Sequence, residues 1–265
     1  TGTDSPFSLI LLIDTSYSTV FKASQIKEAA GRFIDLLGPQ DQVAIVAFDQ
    51  KPRILCKLTS NRRALEIALD AIETGSGTSL YDAIRLSVYN LLGGSRGKKA
   101  IVLLTDGVDT TSGITNAARV LQSVNEEDAT VYVLSYPTFK DVQKLAKKDA
   151  EIVYDEDDNR RIVFNPPAKG ERAEDYLKGE KFLKQLATST GGELYEIKSQ
   201  TDLGTAFARV ADELRKTYLI GYYPSVNRTA GTQYRITIRI NRPNLKISVR
   251  DKAVLRESNP DNKIN

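Results

Sequence analysis

Asp14-Thr15-Ser16-Tyr17-Ser18 follows directly on the largely apolar run Phe7–Ile13. A carboxylate and two hydroxyls at alternate positions converge on one point if the chain curls where a strand ends. Further along, Gly75-Ser76-Gly77-Thr78-Ser79 sets another hydroxyl, that of Thr78, beside glycines that permit close backbone approach. Thr105-Asp106-Gly107 then places a second carboxylate directly after the apolar run Ala100–Leu104. Hard oxygens without imidazole or thiolate suit Mg²⁺, with Mn²⁺ or Ca²⁺ as alternatives. Two carboxylates bring such an ion only to neutrality, so it keeps affinity for one more anionic oxygen. The Asp or Glu of a protein partner carries one.

Three neighbours stand at the margin of this set. Tyr17 offers an aromatic wall beside the ion. Ser79 is a rim hydroxyl or simply the cap of the helix beginning at Leu80, and Asp109 is a partner contact or simply a turn residue.

Bringing these loops together requires a frame that ends several strands at one edge. The runs Phe7–Ile13, Val43–Phe48, Ala100–Leu104 and Val131–Leu134 fit strands buried on both faces, as in a parallel sheet. Helical stripes lie between them. Ile26, Ala30, Phe33, Ile34 and Leu37 form one, stopped by Gly38-Pro39; Leu65, Ala68, Leu69 and Ile72 form the next; Leu80, Ile84, Val88 and Leu91 form a third, closed by Gly93-Gly94. The alternation predicts an α/β fold, a doubly wound, mostly parallel, Rossmann-like sheet flanked by helices. Lys51–Leu58 follows Val43–Phe48 after only Asp49-Gln50, which forces an antiparallel edge strand. Open sheets of this class bind ligands outside the carboxyl ends of their strands, where the strand order reverses.

Residues 137–178 read as an insertion or long loop, with the acidic run Asp155–Asp158 as a solvated turn. The pattern then resumes with a helix through Leu183, Leu186 and Ala187, a strand at Glu193–Ile197 and a helix through Leu203, Phe207, Val210 and Leu214. Residues 1–217 thus form one domain. Residues 218–265 extend it with a strand at Tyr218–Tyr223, a β-hairpin turning at Asn241–Asn244 with one basic face, and a polar tail.

Composition removes several function classes. With 0 histidines the chain holds no Ser-His-Asp or Cys-His nucleophile and no His-ligated zinc. With a single cysteine, Cys56, it forms no intrachain disulfide, and that thiol reads as packing. A net charge of +3 is too small to imply nucleic acid, and the basic hairpin face lacks interleaved aromatics. No apolar run approaches the roughly 20 residues that cross a bilayer, so membrane insertion is not expected. Among enzymes, Asp14-Thr15-Ser16 is half of an aspartic-protease signature without its second copy, and Gly93–Lys99 has the wrong glycine spacing for a phosphate loop.

Taken together, Asp14, Ser16, Ser18, Thr78 and Asp106 resemble the metal-ion-dependent adhesion site of the von Willebrand factor type A family, which is an Asp-x-Ser-x-Ser loop, a distant Thr and a distant Asp followed by Gly. The resemblance spans about residues 7–217, interrupted by the 137–178 stretch, and extends to Val43–Phe48 and Leu103–Gly107. It implies a protein-binding module without catalysis, used in adhesion or assembly, in which those five residues hold Mg²⁺ directly or through water and a partner carboxylate completes the coordination. Tyr17 stands where many members carry Gly. The segment Leu214–Pro224 resembles a bacterial subgroup that is often exported, which implies an extracellular or periplasmic location. The rival readings are a structural module whose ion only stabilises the three loops, and a metal-dependent hydrolase.

Overall fold

Apolar runs and amphipathic stripes alternate along the chain, and the computed structural model folds them as alternating strands and helices. It describes residues 6–17, 23–95, 97–146, 150–154, 160–164, 167–216, 233–235 and 252–254. The first half runs β1 (Phe7–Asp14), α1 (Ala23–Asp35), β2 (Gln42–Phe48), β3 (Pro52–Thr59), α2 (Arg62–Asp70), α3 (Leu80–Leu86), β4 (Lys98–Thr105), α4 (Ala117–Glu126) and β5 (Ala129–Ser135). The second half runs α5 (Phe139–Ala146), β6 (Ala150–Tyr154), β7 (Arg160–Phe164), α6 (Ala173–Ser189), β8 (Leu194–Glu196), α7 (Gln200–Lys216), β9 (Gln233–Arg235) and β10 (Lys252–Val254).

The main sheet has the order β3-β2-β1-β4-β5-β8, parallel throughout except for the β2–β3 pair. The three-residue link Asp49–Lys51 before β3 leaves no room for a crossover, so β3 doubles back and occupies the edge. The remaining crossovers are helical and cover both faces. On β1, Leu9, Leu11 and Ile13 point into one core with α1, α2 and α7, while Ile10 and Leu12 point into the other with α3, α4 and α6. Burying each of these side chains contributes roughly 1.5–3 kcal/mol. Phe33 of α1 stacks on Phe207 of α7 with centroids 4.7 Å apart, closing the first layer. Cys56 packs against the same core from β3.

Three features depart from the sequence reading. α4 lacked an obvious stripe, because only Val120, Ser123 and Val124 of its residues are buried. α3 continues as a π-helical turn over Ser87–Leu92 before Gly93. Residues 137–178, read as an insertion or long loop, hold elements that the sequence reading did not name: α5, the antiparallel pair β6–β7 outside the main sheet, and the opening turns of α6. The Asp155–Asp158 run and the expected Tyr218–Tyr223 strand lie outside the described residues. Of the C-terminal hairpin, β9 and β10 are described, paired antiparallel with Tyr234 opposite Ala253.

Strand order fixes where a ligand can sit. From β1 the chain moves to β2 on one side and later to β4 on the other, so the order reverses between β1 and β4. Asp14 ends β1 and Asp106 follows β4 directly.

Candidate metal centre

At the end of β1 the chain curls because Asp14 accepts a bond on Oδ1 from the Ser16 amide at 3.0 Å, a turn that Asp closes readily. Thr15 anchors the curl with its amide and its hydroxyl donating to Phe48 O at 2.8 and 3.1 Å. Ser16 then forms an isolated parallel bridge with Gly75, whose amide donates to Thr15 O at 2.9 Å. A Cβ on Gly75 would fall 2.2 Å from Asp49 Oδ2, so this approach requires glycine.

The same local device recurs after β4. Val108 donates its amide to Asp106 Oδ1 at 3.0 Å. Gly107, at φ +88°, takes the left-handed conformation that glycine adopts without strain. Each carboxylate is also held by a buried threonine from the strand next to its own. Thr105 donates to Asp14 Oδ2 at 2.7 Å, and Thr138, just beyond β5, donates to Asp106 Oδ2 at 2.5 Å.

Thr78 is placed by a lattice of bonds between its loop and the loop after β4. Its amide donates to Thr110 Oγ1 at 2.8 Å, and its carbonyl accepts from the amides of Thr110 and Thr111 at 2.8 and 3.0 Å. Asp82, in the first turn of α3, accepts the amides of Gly113, Ile114 and Thr115. Asp14, Ser16, Thr78 and Asp106 thus share one edge of the sheet, while Ser18 lies outside the described residues.

Ser79 and Asp109, both at the margin of the expected set, are held by the protein's own groups. Ser79 is 1% exposed and occupies the N-cap position of α3, where its carbonyl accepts the Ala83 amide at 2.9 Å. Its own amide and hydroxyl both donate to Asp49 O at 2.7 and 2.8 Å, so its side chain makes no cap bond. The Asp109 side chain is 7% exposed and accepts from Ser112 Oγ at 2.5 Å and the Tyr81 amide at 3.3 Å, which ties its loop to the first turn of α3. Burial pushes its carboxyl up, against the pull of the Ser112 bond. Tyr17, at 58% exposed, stands at the surface.

The electrostatics suit a cation. Burial, and next the charge of Asp106, push Asp14 up to about 7 against the bonds from Ser16 and Thr105. A divalent ion between two such carboxylates offsets the cost of both charges, and the adjoining hydroxyls complete a hard-oxygen donor set. The residues present therefore fit Mg²⁺. Among the described residues no three His, Cys, Asp or Glu side chains gather. Asp49, buried at the end of β2, pairs instead with Arg53 at 2.6 Å.

Sequence reasoning missed Thr138 and Tyr176. Tyr176, on α6, brings its hydroxyl within 3.5 Å of Thr138 Oγ1, and its phenol is pushed above the usual range by burial first and then by Asp106. Both lie in the 137–178 stretch, where no periodic pattern points to a site.

Residues 8–164 match the family model described as von Willebrand factor type A domain. Inter-alpha-trypsin inhibitor heavy chain H4 of Bos taurus is 29% identical over 134 residues, covering 46% of this chain and 14% of that protein. The chain spans less than a third of the length of the curated relatives that it matches. The vWF domain of the type V pili tip protein Mfa5 from Porphyromonas gingivalis superposes with a TM-score of 0.59 at 12% identity, over 83% of this chain and 99% of that one. The pilus adhesin SpaC from Lactobacillus rhamnosus GG, in its open conformation, gives 0.56 at 15% identity over 80% and 30%. At these identities the likeness is one of fold.

Proposed function

The chain belongs to the von Willebrand factor type A domain family, and from that premise we propose that it is a protein-interaction module whose binding depends on a divalent ion. The observation that carries this reading is the pair Asp14 and Asp106, two buried carboxylates brought together where the strand order reverses. Asp14, Ser16, Ser18, Thr78 and Asp106 hold the ion. Mg²⁺ fits the hard donors best, with Mn²⁺ or Ca²⁺ as substitutes. The bound ion supplies a positive anchor for an Asp or Glu side chain of the partner, and Tyr17 walls that position.

The module works by binding and not by catalysis. Support comes from solved structures of the same fold, a pilus tip protein and a pilus adhesin, which also favour a place outside the cell. Among the described residues no helix is long and apolar enough to cross a membrane. We assign residues 1–217 to the binding domain and residues 218–265 to an extension of it.

The deciding experiment is capture of a protein partner in Mg²⁺ and in excess chelator, repeated with the partner's candidate acid changed to Asn or Gln. Binding lost under chelator and weakened by the substitution supports the proposal. Binding that persists under chelator, or survives every such substitution, leaves the ion a purely structural role.

A further inference from the structure

α6 touches the loop that carries Asp106 in two ways. The first is backbone packing. A Cβ on Gly179 would lie 2.5 Å from Gly107 O, and a Cβ on Gly107 would lie 2.6 Å from Leu183 Cδ1. The helix backbone at Gly179 therefore lies directly on the loop at Gly107, with the Leu183 side chain packed beside it. The second is a run of hydroxyls. Tyr176, one turn before Gly179, lies 3.5 Å from Thr138 Oγ1, and Thr138 donates its proton to Asp106 Oδ2 at 2.5 Å. A carboxylate only accepts, so the one Thr138 proton is committed to it, and the phenol O–H of Tyr176 is the group free to donate onward to Thr138. The Tyr176 ring is held against Phe139 of α5 with centroids 4.8 Å apart, so its hydroxyl is fixed from behind.

We propose that Thr138 and Tyr176 are positioning residues that orient the Asp106 carboxylate toward the ion, so that the seating of α6 sets metal affinity. The proposal rests on the metal reading above. A carboxylate that binds a metal gains affinity when its other oxygen is held by a fixed donor, because the free side chain then has less rotational freedom to lose. Here one oxygen of Asp106 is held by Val108 N and the other by Thr138.

The test uses the full chain and Mn²⁺ alone, with free Mn²⁺ counted by electron paramagnetic resonance. Thr138→Val should weaken Mn²⁺ binding roughly ten-fold and Thr138→Ser should restore most of it. Tyr176→Phe, which removes only the oxygen, should weaken it less than Thr138→Val while leaving the unfolding midpoint in chelator unchanged. The chain has 0 tryptophans, so tyrosine alone sensitises bound Tb³⁺, and emission at saturating Tb³⁺ should drop in Tyr176→Phe. If Thr138→Val fails to fold, Tyr176→Phe decides. Wild-type affinity and undiminished Tb³⁺ emission in Tyr176→Phe would overturn this inference alone. A wild-type chain that binds neither Mn²⁺ nor Tb³⁺ overturns the metal reading with it.

Discussion

Thr105, the last residue of β4, donates its hydroxyl to Asp14, the last residue of β1, at 2.7 Å. The same oxygen accepts the Gly107 amide at 3.1 Å. One buried hydroxyl therefore ties the first carboxylate to the loop bearing the second, across 91 residues of chain. Thr105→Val keeps the shape and removes both bonds. We expect a loss of about 1–3 kcal/mol in urea unfolding, since a buried hydroxyl that bonds both a carboxylate and an amide is removed. Mn²⁺ affinity should fall in the same variant, and a variant as stable as wild type contradicts this account.

Asp106→Asn should separate binding from folding. Removing the charge relieves Asp14 of a buried like-charged neighbour, so the metal-free protein should melt no lower than wild type. Ion binding should meanwhile be lost, because the remaining donors are one carboxylate and neutral oxygens. Calorimetry with Mg²⁺ and thermal melts in chelator read the two effects independently. Undiminished Mg²⁺ affinity would remove Asp106 from the site.

Asp14 gives the site a defined pH dependence. Its carboxyl is raised from 3.8 to about 7, so between these values the metal-free folded chain holds a proton that the unfolded chain has released. Stability of the metal-free form should fall as pH rises through that window and level off above it. Saturating Mg²⁺ should reverse the trend, since protons and metal compete for the same oxygens. Melting in chelator and in Mg²⁺ at about pH 5 and about pH 8 tests the sign, and Asp14→Asn should flatten the metal-free curve.

Asn61 provides an internal control. It caps α2 by accepting the Ala64 amide at 3.2 Å. Asn61→Ala should cost about 1 kcal/mol of stability and leave Mn²⁺ affinity where it was. A large change in affinity would mean that metal binding here merely follows global stability, which would undercut every affinity comparison above.

Gly75→Ala probes the approach of the Thr78 loop. The new methyl would strike Asp49 Oδ2, so the loop must move away from Ser16 or break the Asp49–Arg53 pair. We expect a Mn²⁺ affinity loss larger than the accompanying drop in melting temperature would suggest. Wild-type affinity would show that the Ser16–Gly75 bridge does not position Thr78.

The sequence by itself determined the frame: continuous apolar runs can be buried only between two helical layers, and so short a link as the one before β3 can only turn back. It also located Asp14 and Asp106 at strand ends, because each follows its own apolar run, and set Thr78 in a glycine-flanked loop between two helices. α4 escaped notice because three small buried positions make a weak stripe. The partners of each carboxylate were decided by tertiary structure alone. Thr105 reaches Asp14, and Thr138 reaches Asp106, only because β4 lies beside β1 and β5 beside β4. The bonds of Ser79 and Asp109 were decided in the same way, by Asp49 O and by the Tyr81 and Ser112 donors that face them. A hydrogen bond between residues dozens of positions apart leaves no periodic trace in the chain, since it depends on strand order and not on local spacing.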